Sequence, residues 1–335
     1  MDRRQSLALK FTIMASSRAF RFAVQATKAR SGGEWRTLAR RIEDLGFSTL
    51  FLADHYLGRG PASSEARQPP QHLAPITAMA VAAAVTETLR IGCRVFCVDY
   101  HVPAVLAKEA ATLDLLSDGR LEFGIGAGWS APEYRAMGLE FAPGPRRITK
   151  LEEVIALFKA HCAGEELDRH GEFVEVSGYT GLPLPVQRPH PPIMIGGGKK
   201  RVLSLAGRQA DIASIANVPF TPVNDDGLTP HQEAERRLGY VRDAAGERFA
   251  TLDVEGSPFF TRVTDDPEGA LAPVAEAMGM PPSELRRHPN VLAGTADEIV
   301  DLLELRRETF GVNYVSVQQS DAEAFAPIVD RLAGK

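Results

Sequence analysis

The side chains best suited to chemistry stand directly after short apolar runs. Asp54 and His55 follow the run STLFLA at 48–53. An imidazole titrates near neutral pH, so a histidine beside an acid suggests proton transfer. Neighbours on an extended chain point to opposite faces, and both can serve one site only if the chain turns there. The two residues are therefore a candidate for one site only if this strand ends, and the chain turns, next to them.

A second candidate is the triple glycine in PPIMIGGGKKRVLSLAGR, which predicts a strand, a tight turn and a helix. Bare N–H groups at a helix N-terminus bind anions, and Gly196, Gly197 and Gly198 would let a phosphate approach closely. Lys199 and Arg201 add positive charge. A plain turn needs one glycine, so three of them favour binding of a ligand phosphate.

A third candidate is GIGAGW at 124–129, which lacks the last glycine of a dinucleotide fingerprint. Gly126 and Gly128 alternate along a strand end, which indicates that something flat or bulky approaches the backbone. Trp129 then forms an aromatic wall of the site, or fills a corner of the core. Three more strand-end candidates stand near the end of LRIGCRVFCV: Arg94, Val95 and Cys97.

The elements that must position these residues alternate between strand and helix. We predict eight strands, at 20–25, 48–53, 89–98, 120–128, 193–197, 210–216, 250–263 and 313–318. Strict alternation means parallel strands, and this length suits an α/β fold of the (β/α)8 TIM-barrel type with insertions. A doubly wound open sheet is the alternative, but VQATKARSGGEW after the first strand is not its glycine motif. Barrel sites lie at the C-terminal strand ends, where all these candidates stand.

Bulk properties narrow the function further. The 335 residues suit one domain at 20–335 after a disordered leader at 1–19, unless the true start is Met14. A net charge of −5 argues against nucleic acid as a partner, and no apolar run of 18 residues predicts a membrane span. Three cysteines fit a reducing, cytoplasmic setting, and no cluster has the spacing of a metal site.

Four other charged residues are interpreted without a role in catalysis. Glu133, Glu152 and Glu153 are interpreted by default as solvated helix charges. Arg147, at a helix start, either caps the helix or pairs with an acid at a strand end.

Four stretches together resemble the bacterial-luciferase-like flavin and deazaflavin oxidoreductases over about 20–331. They are EDLGFSTLFLADHY, HVPAVLAKEAATLDLLSDGRLEFGIGAGW, PVQRPHPPIMIGGGKKRVLSLAGRQAD and AGTADEIVDLL. RRETFGVNYVSV resembles the subgroup that uses coenzyme F420. The resemblance implies a luciferase-like barrel with the cofactor ring beside Asp54 and His55 and its phosphate at 196–198. It also implies a non-proline cis peptide between Arg94 and Val95.

The implied activity is hydride transfer between F420 and a small organic substrate, in either direction. His55 would give or take the proton, and Asp54 would hold its tautomer or contact the ring edge. Trp129 stands where the sugar-phosphate dehydrogenase branch has a glutamate, which argues against that reaction. The acidic tail of F420 would suit Arg59, Arg67 and Lys199. The alternatives are a reduced-FMN-dependent monooxygenase and a non-catalytic flavin-binding protein, and we expect a homodimer.

Overall fold

The computed structural model describes residues 18–335, so Met14 and all but the last two positions of the predicted leader lie outside the described residues. The chain divides into two compact units. The first is Ala23–Gly197, and the second is Gly198–Lys335 together with the segment that ends at Phe22. The expectation of one domain over 20–335 stays a prediction.

The first unit holds most of β1 and the elements that follow it as far as β8. Its strands are β1 (Arg21–Ala26), β2 (Thr49–Leu52), β3 (Arg90–Cys93), β4 (Phe96–Cys97), β5 (Leu121–Gly126), β6 (Glu166–His170), β7 (Glu175–Thr180) and β8 (Ile193–Gly197). Its helices are α1 (Gly32–Asp44), α2 (Pro61–Glu65), α3 (Pro75–Ala83), α4 (Pro103–Leu116), α5 (Ala131–Ala136) and α6 (Gly144–Ala163).

Parallel pairing in this unit aligns the strand ends that carry the candidates. β1 pairs with β2, β2 with β3, β3 and β4 with β5, and β5 with β8, all in parallel. Leu52 lies opposite Cys93, and Cys97 lies opposite Gly126. The segments after β2, β4 and β5 therefore emerge at the same edge of the sheet. The β2 and β5 residues are all buried, as expected for strands covered on both faces.

The second unit repeats the same alternation. Its strands are β9 (Ile212–Ile215), β10 (Asp253–Gly256), β11 (Phe260–Val263), β12 (Val291–Gly294) and β13 (Tyr314–Gln318). Its helices are α7 (Lys200–Gln209), α8 (Pro230–Ala245), α9 (Pro267–Met278), α10 (Pro282–Arg286), α11 (Ala296–Phe310) and α12 (Ala322–Leu332), with short 3₁₀ turns at Gly246–Ala250 and Gln319–Asp321. β9, β10 and β13 are parallel neighbours, while β11 and β12 form a parallel pair of their own.

The predicted (β/α)8 class is confirmed. With β3 and β4 counted as one interrupted strand, residues 18–335 contain eight parallel strands that follow one another in the main sheet. The antiparallel hairpin β6–β7 and the β11–β12 layer are the insertions, and neither was predicted. The single strand expected at 250–263 is wrong, because Pro258 has no N–H to donate and the chain forms β10 and β11 on either side of it.

Local capping explains where several helices begin. The Ser31 side chain accepts the amide N–H of Glu34 at the start of α1. Thr295 and Glu298 form a capping box at α11, and Thr229 starts α8 in the same way. Pro103 occupies the first turn of α4, as its position in the sequence predicts. No helix within 18–335 combines the length and apolarity that crossing a membrane requires.

Candidate active site

The third barrel strand is interrupted at the edge where the candidates lie. The peptide bond between Arg94 and Val95 is cis, as the resemblance implies. Nη1 of Arg94 donates to Oε1 of Gln25, at the end of β1, over 3.2 Å. Val95 packs against β5. A Cβ atom added at Gly126 would lie only 2.8 Å from Cγ2 of Val95. Residues 94 and 95 thus link the ends of β1 and β5.

Gly126 and Gly128, the two glycines expected to let a ligand approach the backbone, pack closely against other side chains of the protein. A Cβ at Gly128 would lie 2.0 Å from the Tyr134 hydroxyl and 2.8 Å from Sγ of Cys97, and Gly128 has a φ of +71°. Gly126 faces Val95 as described. The alternating glycines therefore serve close packing of this edge. Contact between their backbone and a ligand stays a prediction.

Asp54 is buried and turns toward the third strand. Its Oδ2 accepts the amide N–H of Cys97 at 2.8 Å and lies 2.9 Å from Nε2 of His101. Its Oδ1 is buried and has no hydrogen-bond partner among the described residues. Asp54 therefore orients His101 instead of His55, and the prediction that it holds the His55 tautomer is wrong. The physical reason is the alternation of side chains, which sends neighbours 54 and 55 to different partners.

The acid that holds His55 is Glu133, in the first turn of α5. Oε2 of Glu133 lies 2.7 Å from Nδ1 of His55, and Oε1 accepts the amide N–H of Tyr56 at 2.7 Å. The Glu133 side chain is fully buried. Burial acts to raise its pKa, but the hydrogen bonds from His55 and Tyr56 outweigh burial and leave the pKa below the ordinary value. The prediction that Glu133 is a solvated helix charge is wrong.

This pairing fixes which nitrogen of His55 is available. An ionised Glu133 can only accept, so Nδ1 of His55 carries the proton that it donates. Nε2 is then left for exchange with another group. The ring is partly exposed, and Trp129 stands beside it with an edge-on contact of 5.9 Å between ring centroids. Trp129 is 61% exposed, so it forms a wall and does not fill the core.

Cys97 belongs to a chain of polar contacts that also includes Tyr134, Asp99 and Lys150. Its Sγ lies 3.0 Å from the Tyr134 hydroxyl, which donates to Oδ2 of Asp99 at 2.8 Å. Nζ of Lys150 donates to the other oxygen of Asp99 at 2.8 Å. Burial raises the pKa of the Cys97 thiol to about 12. Cys97 is therefore a neutral thiol at physiological pH, and it positions Tyr134 better than it could act as a nucleophile.

The glycine turn joins the end of β8 to α7. Gly196 and Gly197 end the strand, and Lys199 is the N-cap residue of α7 but gives the helix no side-chain cap. The backbone N–H groups at the start of α7 follow directly after the glycines, and a helix N-terminus of this kind favours an anion. Lys199 and Arg201 are exposed.

A further cation lies close to Gly198 within the second unit. A Cβ at Gly198 would lie 3.0 Å from Nη1 of Arg237. Arg237 is buried, pairs with Glu233 at 2.6 Å and donates to the carbonyl of Ala216. Arg237 was not predicted, since it lies on α8 about forty positions beyond the turn in the sequence.

For Arg147 the structure excludes one of the two alternatives left open by the sequence, and for Glu153 it corrects the prediction of a solvated charge. Nη1 of Arg147 donates to the carbonyl of Ala142, and its guanidinium stacks on the Phe141 ring at 3.7 Å, so it pairs with no strand-end acid there. Glu153 is not simply solvated, because its carboxylate accepts the amide groups of residues 172–174 in the β6–β7 turn. Glu152 is half-buried.

Glu133 and His101 are the site residues that the sequence reasoning missed. A signal for Glu133 exists in SAPE at 130–133, where an acid enters the first turn of a helix directly after a barrel strand. His101 follows the interrupted third strand and gives no such signal. The contact of His101 with Asp54 becomes visible only when the strand ends are brought to one edge.

Comparison with known proteins supports the assignment of the fold. Residues 10–308 match the family described as luciferase-like monooxygenase. An uncharacterised protein of Mycobacterium tuberculosis (strain ATCC 25618 / H37Rv) is 34% identical over 184 residues, which are 52% of this chain and 64% of that protein. An F420-dependent glucose-6-phosphate dehydrogenase of Microbacterium testaceum (strain StLB037) is 31% identical over 220 residues, 62% of each chain.

Further similar proteins include one named for FMNH2 and one named for F420. An FMNH2-dependent dimethylsulfone monooxygenase of Pseudomonas putida is 35% identical over 109 residues, 32% of this chain and 30% of the enzyme. The chain therefore spans less than two thirds of each of these three relatives. A solved F420-dependent tetrahydromethanopterin reductase from Methanopyrus kandleri has a TM-score of 0.71 at 18% identity, over 94% of this chain and 100% of the reductase. That likeness shows the fold.

Proposed function

Because the chain belongs to the luciferase-like monooxygenase family, we propose that it is an F420-dependent oxidoreductase that transfers a hydride between the deazaflavin and a small organic substrate. The observation that carries the proposal is the His55–Glu133 pair beside the exposed Trp129. A histidine held at one nitrogen, with the other left for exchange, is what proton transfer accompanying a hydride needs.

The residues present fit a flavin-type cofactor. Oδ1 of Asp54 is a buried acceptor without a partner among residues 18–335, and N–H groups at the edge of such a ring would satisfy it. The ring would rest among the strand-end residues Asp54, His55, Arg94, Val95, Cys97, Gly126, Gly128 and Trp129. The phosphate would bind at Gly196, Gly197 and Gly198, with Lys199, Arg201 and Arg237 as nearby charges.

These contacts indicate what the protein itself would contribute to the reaction. When bound, the deazaflavin would supply the hydride chemistry, and the protein supplies orientation and electrostatics. Glu133 keeps the proton on Nδ1 of His55, so Nε2 can take a proton from a substrate hydroxyl or give one to a carbonyl oxygen. Glu133 also stabilises the imidazolium that forms when Nε2 is protonated. Trp129 limits the directions from which a substrate can reach His55.

A reduced-FMN-dependent monooxygenase is the second candidate. The similarity to a dimethylsulfone monooxygenase named as FMNH2-dependent favours it, and the glycine turn suits the phosphate of either cofactor. F420 carries a longer acidic tail, which the exposed Arg59, Arg67 and Lys199 would suit. The resemblance of RRETFGVNYVSV to the F420 subgroup also favours F420. A non-catalytic flavin-binding protein is the weakest alternative, because the His55–Glu133 pair is intact.

Titration of the cofactor-free protein with F420 and with FMN, followed by fluorescence, tests the cofactor. We expect tight binding of F420 and binding of FMN weaker by about tenfold or more, a difference of about 1.4 kcal/mol. Tight binding of FMN without binding of F420 would overturn the choice and favour the monooxygenase. Gel filtration of the same samples tests the proposed homodimer.

The proton-transfer role is tested with His55→Ala. Small alcohols and carbonyl compounds are screened for a change in deazaflavin absorbance, and the variant is assayed on the best substrate. We expect kcat to fall about 10²- to 10⁴-fold, with little change in cofactor affinity. His170→Ala is the matched control, since its side chain is 69% exposed on the β6–β7 hairpin. Unchanged kcat in His55→Ala would refute the role.

A further inference from the structure

The second unit contains a cavity that the proposed reaction does not use. Its volume is about 70 Å³, and its walls are mainly apolar side chains of β9, β10, β13, α8 and α11. Arg306 is the one charged residue among those that line it within the described chain, and Ser257 and Asn290 are the polar ones. An apolar cavity with a single charge at its wall has the make-up of a ligand site.

Arg306 is a buried cation without a counterion. It is 9% exposed, and Nη2 donates to the carbonyls of His288 at 3.1 Å and Val291 at 2.7 Å. Nε and Nη1 donate no hydrogen bond, and no carboxylate pairs with the guanidinium among residues 18–335. Burial lowers the pKa of Arg306 to about 10, so the group is still charged at neutral pH. Buried charges are normally paired, and this one lacks its partner.

Asn290 presents a second donor at the same wall. Its Oδ1 accepts the amide N–H of Val218 at 2.8 Å, which fixes the orientation of the side-chain amide. Nδ2 donates no hydrogen bond among the described residues. Asn290 lies between His288 and Val291, the two residues whose carbonyls Arg306 contacts. A planar anion would therefore meet donors from both side chains.

We propose that this cavity binds a small monocarboxylate with a compact hydrocarbon group. The carboxylate would accept from Arg306 and Asn290, and the hydrocarbon part would face the apolar walls. A cavity needs about 10–15 Å³ for each water-sized group, so 70 Å³ holds roughly five to seven non-hydrogen atoms. Acids of four or five carbons have this size. A phosphate would leave the apolar walls unused.

Isothermal titration of the full chain with isovalerate tests the proposal. Isovaleramide has the same shape without the charge, and acetate has the charge without the hydrocarbon group. We expect isovalerate to bind at least about tenfold more tightly than either, which is about 1.4 kcal/mol. No heat of binding with isovalerate at millimolar concentration, or equal binding of isovaleramide, would overturn the proposal.

Asn290→Asp is the sharpest variant, because it keeps the acceptor for Val218 and places a carboxylate on the wall of the cavity that Arg306 also lines. We expect it to weaken isovalerate binding about tenfold or more, and to raise the melting temperature by giving Arg306 a counterion. Binding at wild-type strength would contradict the assigned site.

Leu303→Phe provides an independent test by filling the cavity. Leu303 is 2% exposed on α11 and lines the cavity, whereas Leu305 on the same helix is 56% exposed. Leu305→Phe is therefore the matched control. We expect loss of isovalerate binding in the first variant and wild-type binding in the second, with folding of both checked by circular dichroism. Retained binding in a folded Leu303→Phe would refute the location.

Discussion

Oε2 of Glu133 lies 2.7 Å from Nδ1 of His55, although 78 positions separate the two residues in the chain. Asp54, the sequence neighbour of His55, contacts His101 instead. The edge of the sheet therefore carries two acid–imidazole pairs, each formed by residues from different strand ends. The acid next to a catalytic candidate in the sequence is thus a poor guide to the acid that orients it.

The variant Glu133→Gln should separate the effect of Glu133 on His55 from any effect on cofactor binding. The amide keeps the size of the carboxylate but removes the charge that stabilises a protonated His55. We expect kcat to fall about 10²-fold, while cofactor affinity and KM change little. Steady-state kinetics and fluorescence titration measure the two effects.

The control for this variant is Glu153→Gln, whose carboxylate binds amide groups of the β6–β7 turn. We expect wild-type kcat there. A kcat for Glu133→Gln equal to that of Glu153→Gln would remove Glu133 from the mechanism.

The same residue should make stability depend on pH in the acid range. The hydrogen bonds from His55 and Tyr56 hold the pKa of Glu133 below its ordinary value of 4.5. Its contribution to stability is therefore complete above about pH 4.5, and it is lost as the pH falls below 4.5 through the folded-state pKa. We expect the difference in unfolding free energy between wild type and Glu133→Gln to shrink over this interval. Urea denaturation at a series of pH values measures it, and a constant difference would contradict the assignment.

Gly124→Ala should destabilise the first unit through packing alone. A Cβ at Gly124 would lie 1.9 Å from the backbone oxygen of Cys93, so β3 and β5 would have to move apart. We expect a loss of about 1–3 kcal/mol or more, measured by thermal and urea denaturation.

Gly144→Ala is the control, since nothing lies within 4 Å of its Cβ position at the start of α6. We expect it to leave stability unchanged or slightly higher. Equal stability of the two variants would show that β3 and β5 can separate without cost.

The barrel strands could be predicted because a fully buried parallel strand is a short apolar run, as in STLFLA and IMIGG. The hairpin β6–β7 has no such run, since most of its residues are exposed. The strands ELDRH and EVSGYT carry no such local signal, because they depend on pairing with each other and on Glu153 at their turn.

The strand ends, and so the positions of Asp54, His55 and Trp129, followed from the strand count. The hydrogen-bond partners of these residues did not follow from the strand count. The SAPE stretch places Glu133 at a helix start after a strand, but its burial and its contact with His55 depend on a different strand end that is distant in the sequence. The proximity of Arg237 to Gly198 likewise could not be predicted, because it depends on the packing of α8.

The layer formed by β11 and β12 has a hydrophobic cluster of its own. Leu271, Ala275, Leu285, Val291 and Ala293 are buried together, with Phe260 and Met278 packed against them. A segment with its own core can open as one cooperative unit, before the chain as a whole unfolds. Amide hydrogens of β11 and β12 should then exchange together in native-state measurements. Because Asn290 lies directly before β12, slower exchange in the presence of isovalerate would show that the ligand stabilises this unit.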